Sequence, residues 1–289
     1  MRTRLLWTSV VLPLFLLANC NDEELTDAPA EPTSVALNFA ALVGGAPLTC
    51  DEDFAGFGPD GDRTLRFVDA RLYLHDVQLQ ASDGTWVAAT IPDSAPFQGQ
   101  GVALLDFENG TGECANGNAE LNSTVTVVPT AAGEWQGVRF NLGVPFELNH
   151  ADASAAASPL NLTSLFWNWQ GGYKFARIDV MVDNGAGETT GFNMHLGSTG
   201  CDGAVTGGVT SCANENRPVI ELTGADPAAT GIQLNVDAIY SDLDPGFNTP
   251  DSAPGCMSGP TDPECTPVFN IFGLGSNAQT FIAWSITAS

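Results

Sequence analysis

The residues able to do chemistry are few: the chain holds 3 histidines in 289 residues, His75, His150 and His195. His75 lies in Leu72-Tyr73-Leu74-His75-Asp76-Val77, where strand alternation sets it beside Tyr73 and Val77 on one face and it reads as a packed side chain. His150 closes Pro145-Phe146-Glu147-Leu148-Asn149-His150 and reads as a strand exit, while His195 falls near the end of Gly191-Phe192-Asn193-Met194-His195-Leu196. Imidazoles at the edges of separate strands can converge on one metal ion, and with a thioether nearby they suit copper, Cu(I) above all. Met194 adjoins His195 but faces the other side of a regular strand. The run Phe166-Trp167-Asn168-Trp169 puts both indoles on one face if it is extended. A paired core tryptophan is the ordinary reading of that pattern. Two exposed indoles stacking on a glycan or protein, on a surface β-sandwich lipoprotein, is the alternative.

Two acidic loops offer calcium the oxygen ligands it prefers: Asp51, Glu52 and Asp53 with Asp60 and Asp62, and Asp242 and Asp244 with Asp251. On an acidic protein such loops are ordinarily just solvated. Gly56-Phe57-Gly58-Pro59-Asp60-Gly61 spells a dinucleotide fingerprint but lacks the flanking strand and helix, and reads as a loop. Nothing singles out a carboxylate pair, so a hydrolytic reading has no residues to carry it.

The elements that must hold these side chains are short. Apolar or alternating runs occur at 35–43, 65–79, 86–91, 102–107, 123–128 and 137–142, then at 165–169, 175–182, 191–196, 219–222, 232–236 and 280–286. Gly, Pro, Asn and Asp clusters separate them, and helical period is weak, at 225–234 and 269–274. The pattern predicts an all-β fold, one β-sandwich-like domain over residues 34–289 with long loops pinned by disulfides.

The front of the chain reads as an export signal. Arg2 and Arg4 precede an apolar stretch too short to span a bilayer, and Leu17-Ala18-Asn19-Cys20 resembles a bacterial lipobox. Residues 1–19 are then a signal peptide, Cys20 the lipidated first residue that anchors the chain to a membrane, and 20–33 an acidic tether. This implies an outer-membrane or periplasmic-facing lipoprotein of a Gram-negative bacterium. Six further cysteines, Cys50, Cys114, Cys201, Cys212, Cys256 and Cys265, suit disulfides in an oxidising compartment, and no C-x-x-C favours a metal instead. Fifteen pairings are open in principle. Short loops favour Cys201 with Cys212 and Cys256 with Cys265, leaving Cys50 for Cys114.

Charge excludes one class of partner. Against 34 acids stand 9 bases, Lys174 being the only lysine, and loss of Arg2 and Arg4 leaves 7 and a net charge of -27. Binding nucleic acid takes clustered cations, which are missing.

Four separated segments carry a family resemblance. They are Val144-Pro145-Phe146-Glu147-Leu148-Asn149-His150, the run from Leu165 to Phe175, His195-Leu196-Gly197-Ser198-Thr199-Gly200-Cys201, and Pro254-Gly255-Cys256-Met257-Ser258 with Asp262-Pro263-Glu264-Cys265. In that order they resemble the MbnP-like copper-binding proteins, the four-cysteine members of the metallo-mystery pair. The resemblance implies a di-haem partner of the cytochrome c peroxidase and MauG type, which oxidises the first tryptophan of W-x-W to kynurenine. Here that is Trp167, with Trp169 the second. It implies Cu(I) held by His150, His195 and the modified Trp167, with Met257 or His75 as further candidates, on a chain that is a metal carrier and not an enzyme.

Overall fold

Alternation makes the strands. Val35–Val43 buries Leu37, Phe39, Ala41 and Val43 and turns the intervening side chains outward. The computed structural model describes residues 31–183, 186–204, 206, 208–274 and 283–286. The expected signal peptide, Cys20 and the tether up to residue 30 lie outside the described residues.

The strand Arg63–Ala81 organises the molecule. One of its edges pairs with Ala176–Asp183 along residues 64–72, and then with Trp135–Leu142 along residues 74–81. The opposite edge takes Val102–Asp106 and then Trp86–Thr90. Pairing continues through Thr124–Pro129, Val35–Val43 and Ile232–Asn235 to Trp284–Ile286, and outward on the other side through Thr189–Leu196 to Gly255–Cys256. A single sheet thus curls over itself into a sandwich, as the strand pattern predicts. At Asp76, φ is +52° and the register with Trp135–Leu142 jumps between His75 and Gln78, a bulge that bends the long strand. The main core lies inside the curl, with Phe67, Leu72, Phe140, Ile178, Phe192, Met194 and Tyr240 fully buried.

The change of partner along the long strand creates the opening that carries the site. Leu142 leaves the sheet and Ala176 enters it on the same edge, beside Tyr73: Gly143 N–H donates to Tyr73 O at 2.7 Å, and Tyr73 N–H donates to Phe175 O at 2.8 Å. Residues 143–175 are therefore an excursion from the sheet that begins and ends at one point. A second, smaller core fastens it down, built from Tyr73, Val102, Leu104, Val144, Leu160, Leu165, Tyr173 and Phe175. Tyr73 Oη–H donates to Pro159 O at 3.0 Å, and Tyr173 Oη–H donates to Leu160 O. Each such ring contributes about 1.5–3 kcal/mol by burial, and its hydroxyl stays satisfied.

Helices are brief. The weak period at 225–234 yields only Pro227–Thr230, stopped at Gly231 and capped by Asp226, which accepts from Ala228 N–H. That at 269–274 yields Cys265–Ile271. A hairpin absent from the expected strands, Thr199–Ala204 with Gly208–Asn214, stands apart as its own two-stranded sheet. Three disulfides close, Cys50–Cys114, Cys201–Cys212 and Cys256–Cys265.

Candidate metal centre

His195 is the last outward residue of its strand. Phe192, Met194 and Leu196 enter the main core, so Met194 is turned away from His195 as alternation requires. The face bearing His195 is polar: His195 sits opposite Arg177, which sits opposite Arg71, and Asp179 sits opposite Asp69 on the neighbouring strand. These polar groups are nonetheless buried, His195 being 5% exposed, Asp179 3% and Arg71 3%. They pair in a chain: His195 Nε2 with Asp179 Oδ2 at 3.2 Å, Arg177 Nε with the same oxygen at 2.7 Å, and Arg177 Nη1 with Asp69 Oδ2 at 2.9 Å, while Asp179 Oδ1 has no hydrogen-bond partner. Arg71 then pairs with Asp69 and reaches Glu108 at 3.6 Å. Burial by itself would raise the Asp179 pKa, but the hydrogen bond from His195 and the charge and hydrogen bond of Arg177 outweigh it and hold the carboxyl below its usual range.

An ionised Asp179 accepts from His195 Nε2–H, and the neutral tautomer then carries its lone pair on Nδ1. That Nδ1 is buried with no hydrogen-bond partner. A ring fixed by a carboxylate on one nitrogen and free on the other is the usual state of a metal-ligating histidine.

Trp167 lies beside this ring, the two centroids 6.3 Å apart and the planes tilted by 52°. Glycines make the approach possible: a Cβ on Gly197 would stand 2.5 Å from Trp167 Cζ3, and one on Gly171 3.3 Å from Cε3. The turn that presents the indole is shaped by Asn168 Oδ1, which accepts from Gln170 N–H and Gly171 N–H. Gln170 Nε2 donates to Cys201 O at 2.8 Å and ties this turn to the isolated hairpin. Trp167 and Met257 line one open cleft of about 380 Å³ together with Gln170, Ser198 and Cys201. Met257 is placed there by Ser258, whose hydroxyl accepts from Gly197 N–H and donates to His195 O, each at 2.9 Å.

His150 is not at a strand exit. It caps the one-turn helix Phe146–Asn149, because Pro145 starts a turn there instead of extending the strand. Its Nδ1–H donates to Trp169 O at 3.1 Å, leaving the Nε2 lone pair to accept from Asn149 Nδ2 at 3.1 Å, with Cys212 Sγ 3.5 Å away. Burial lowers its pKa, opposed by the Trp169 carbonyl and aided by Arg217, so the ring is neutral near pH 7. His150, Cys201 and Cys212 bring three potential ligand atoms within 4.8 Å of one another, the one such group of His, Cys, Asp or Glu among the described residues. The two sulfurs are bonded to each other at 2.03 Å, which leaves the imidazole as the donor.

The predicted residues are thus gathered in two parts. Trp167 and Met257 line the cleft, His195 lies buried behind it against the Trp167 ring, and His150 flanks it through Cys201 and the Trp169 carbonyl. Among the described residues no contact joins His150 to His195. His75 is packed, 3% exposed, its Nδ1–H donating to Gly143 O at 2.9 Å. Trp167 and Trp169 do not share a strand face, since the strand Phe166–Asn168 ends before Trp169, and both are half-buried outside the two cores. In the acidic loops, Arg63 lies between Asp62 at 2.9 Å and Asp244 at 3.1 Å, and no three carboxylates converge among the described residues. Asp179 was not among the expected site residues, although two charges at alternate positions, Arg177 and Asp179, mark one face of an otherwise apolar strand.

An anchored imidazole behind a cleft that carries a thioether, with a second anchored imidazole at its flank, is suited to binding a metal ion. Among curated proteins none matches the chain. Among solved structures, MbnP from Methylosinus trichosporium matches with a TM-score of 0.72 at 27% sequence identity, covering 84% of this chain and 89% of that one. The MbnP family model matches residues 32–258, a span that holds every histidine, Trp167 and Met257. The chain belongs to the MbnP family.

Proposed function

We propose that this is an exported copper-binding protein, matured by a di-haem partner of the cytochrome c peroxidase and MauG type, and acting in copper acquisition or homeostasis. The observation that carries the reading is His195 Nδ1, a buried lone pair without a partner, on a ring anchored by Asp179 and set beside Trp167. His195 through Nδ1, His150 through Nε2 and the oxidised Trp167 would hold Cu(I), with Met257 as a soft donor on the same cleft. An indole offers a metal no accessible lone pair. Oxidative opening of its five-membered ring, with loss of one carbon as formate and net gain of one oxygen, exposes an aryl amine and a ketone. The haem partner supplies the oxidising equivalents. The benzo ring that packs on Gly197 survives that change, so the new donors stay where the indole is now. The chain is the partner's substrate and a metal carrier, not a catalyst. Three disulfides support an oxidising compartment, with Cys20 as the lipid anchor.

The test is peptide mass spectrometry across Trp167 after co-expression with the di-haem partner, combined with copper analysis. The expected result is kynurenine at position 167 and copper bound only by protein that carries it. Copper-loaded protein with an intact Trp167 would overturn the reading.

A further inference from the structure

We propose that Cys201, Cys212 and His150 form a second, redox-gated metal site. Oxidised, the sulfurs are closed on each other. Reduced, two thiolates and His150 Nε2 take up one thiophilic cation.

The geometry is nearly assembled. In a tetrahedral zinc-type site, bond lengths of about 2.3 Å to sulfur and about 2.0 Å to nitrogen set the S to N edge at about 3.5 Å and the S to S edge at about 3.8 Å. His150 Nε2 already stands 3.5 Å from Cys212 Sγ. Only the sulfurs, bonded at 2.03 Å, must separate. Cys201 and Cys212 face each other across a hairpin that pairs with no other strand among the described residues, so their side chains can part without disturbing the main sheet. His150 is held for the purpose by the Trp169 carbonyl on Nδ1, and Asn149 Nδ2 is the donor that a cation would displace from Nε2. Two thiolates and one imidazole make a three-ligand set that leaves a fourth position open, on the side of the cleft that Cys201 lines.

Access decides which disulfide opens. Cys50 is 2% exposed, and Cys114, Cys256 and Cys265 are fully buried, whereas Cys201 is 7% exposed and Cys212 is half-buried. A dithiol reductant reaches this bridge first. The exchange breaks one S–S bond here, forms one in the reductant and leaves two thiols on the chain. Binding of the cation then releases both protons. The site shares His150 with the proposed copper site but needs neither Trp167 nor His195, so reduction would divert one ligand from copper.

The experiment uses protein made without the haem partner, so that Trp167 is intact, and titrates it anaerobically with Co(II) before and after mild dithiol treatment. Thiol alkylation with mass spectrometry identifies the bridge that opened. A thiolate-to-cobalt charge-transfer band is expected only after reduction, at one Co(II) per chain, with Cys201 and Cys212 as the alkylated pair. It should persist in Trp167→Phe, disappear in Cys201→Ser/Cys212→Ser, and need about tenfold more Co(II) in His150→Gln. Reduced protein with both thiols free and no band, a band surviving in the double serine variant, or first opening of another bridge would each overturn the proposal. Because Trp167→Phe abolishes the kynurenine site, failure of that reading leaves this result unchanged.

Discussion

His195 and Asp179 are diagonal neighbours on adjacent strands, with Nε2 hydrogen-bonded to Oδ2 at 3.2 Å and neither side chain open to solvent. The carboxylate fixes both the plane of the ring and the nitrogen that carries the proton. Asp179→Asn keeps the shape but presents an amide that can donate to Nε2, moving the ring proton to Nδ1. Affinity of the matured protein for Cu(I) should then fall about 10–100-fold, read by competition with a chromophoric chelator. Unchanged affinity would remove His195 Nδ1 from the ligand set.

Asp69 sits between two guanidiniums, accepting from Arg71 Nε at 2.8 Å and from Arg177 Nη1 at 2.9 Å. Asp69→Ala leaves the buried Arg71 with only the longer contact to Glu108 at 3.6 Å. Loss of one partner from a buried ionic network costs about 3–5 kcal/mol. Urea unfolding should show a loss of that order, reduced when Arg71 is replaced by Met in the same chain. A loss under about 1 kcal/mol would mean that these charges behave as a solvated surface pair.

The strands were legible in the sequence wherever one face enters a core, because apolar alternation records that face directly. Residues 35–43 show this best. The hairpin at Thr199–Ala204 and Gly208–Asn214 was not legible, since it is mostly exposed and glycine-rich and has no apolar face to record. The same limit hid the proximity of Cys212 to His150, which depends on where the excursion 143–175 lands. His150 was misplaced at a strand exit because a four-residue turn after Pro145 leaves no helical period. The pairing of the indoles failed for a related reason: alternation holds only while the chain is extended, and the turn begins at Trp169. Asp179 was within reach, since a charge inside an apolar strand needs a partner, and His195 on the next strand is one.

Gly197 is required by the indole. A methyl there would stand 2.5 Å from Trp167 Cζ3, 2.8 Å from Cη2 and 2.8 Å from Tyr173 O. The backbone oxygen cannot yield, so the ring must move. Gly197→Ala should cost about 1–3 kcal/mol by overpacking. It should also alter the fluorescence of Trp167, isolated as the difference from the same pair of proteins carrying Trp167→Phe. An unchanged difference spectrum would mean that the indole does not rest on Gly197 in solution.

Asp106 gives the fold a pH dependence of unusual sign. The side chain is 1% exposed, and burial pushes its pKa from 3.8 up to about 7 against the lowering effects of Asn118 and Arg71. Between those two values the folded chain holds a proton that the unfolded chain has released. Stability from this group is therefore fully present below 3.8 and is lost as pH rises through about 7. His75 and His150 act in the opposite sense. Their folded values lie below 6.5, so the unfolded chain protonates first and their contribution falls as pH drops below 6.5. Comparing wild type with Asp106→Asn cancels the histidines. The stability difference in favour of wild type should grow as pH falls from about 8 to about 5, with a slope of at most about 1.4 kcal/mol per pH unit. Denaturation midpoints that run parallel across that range would show that Asp106 is ionised in the folded protein and that Arg71 and Asn118 outweigh its burial.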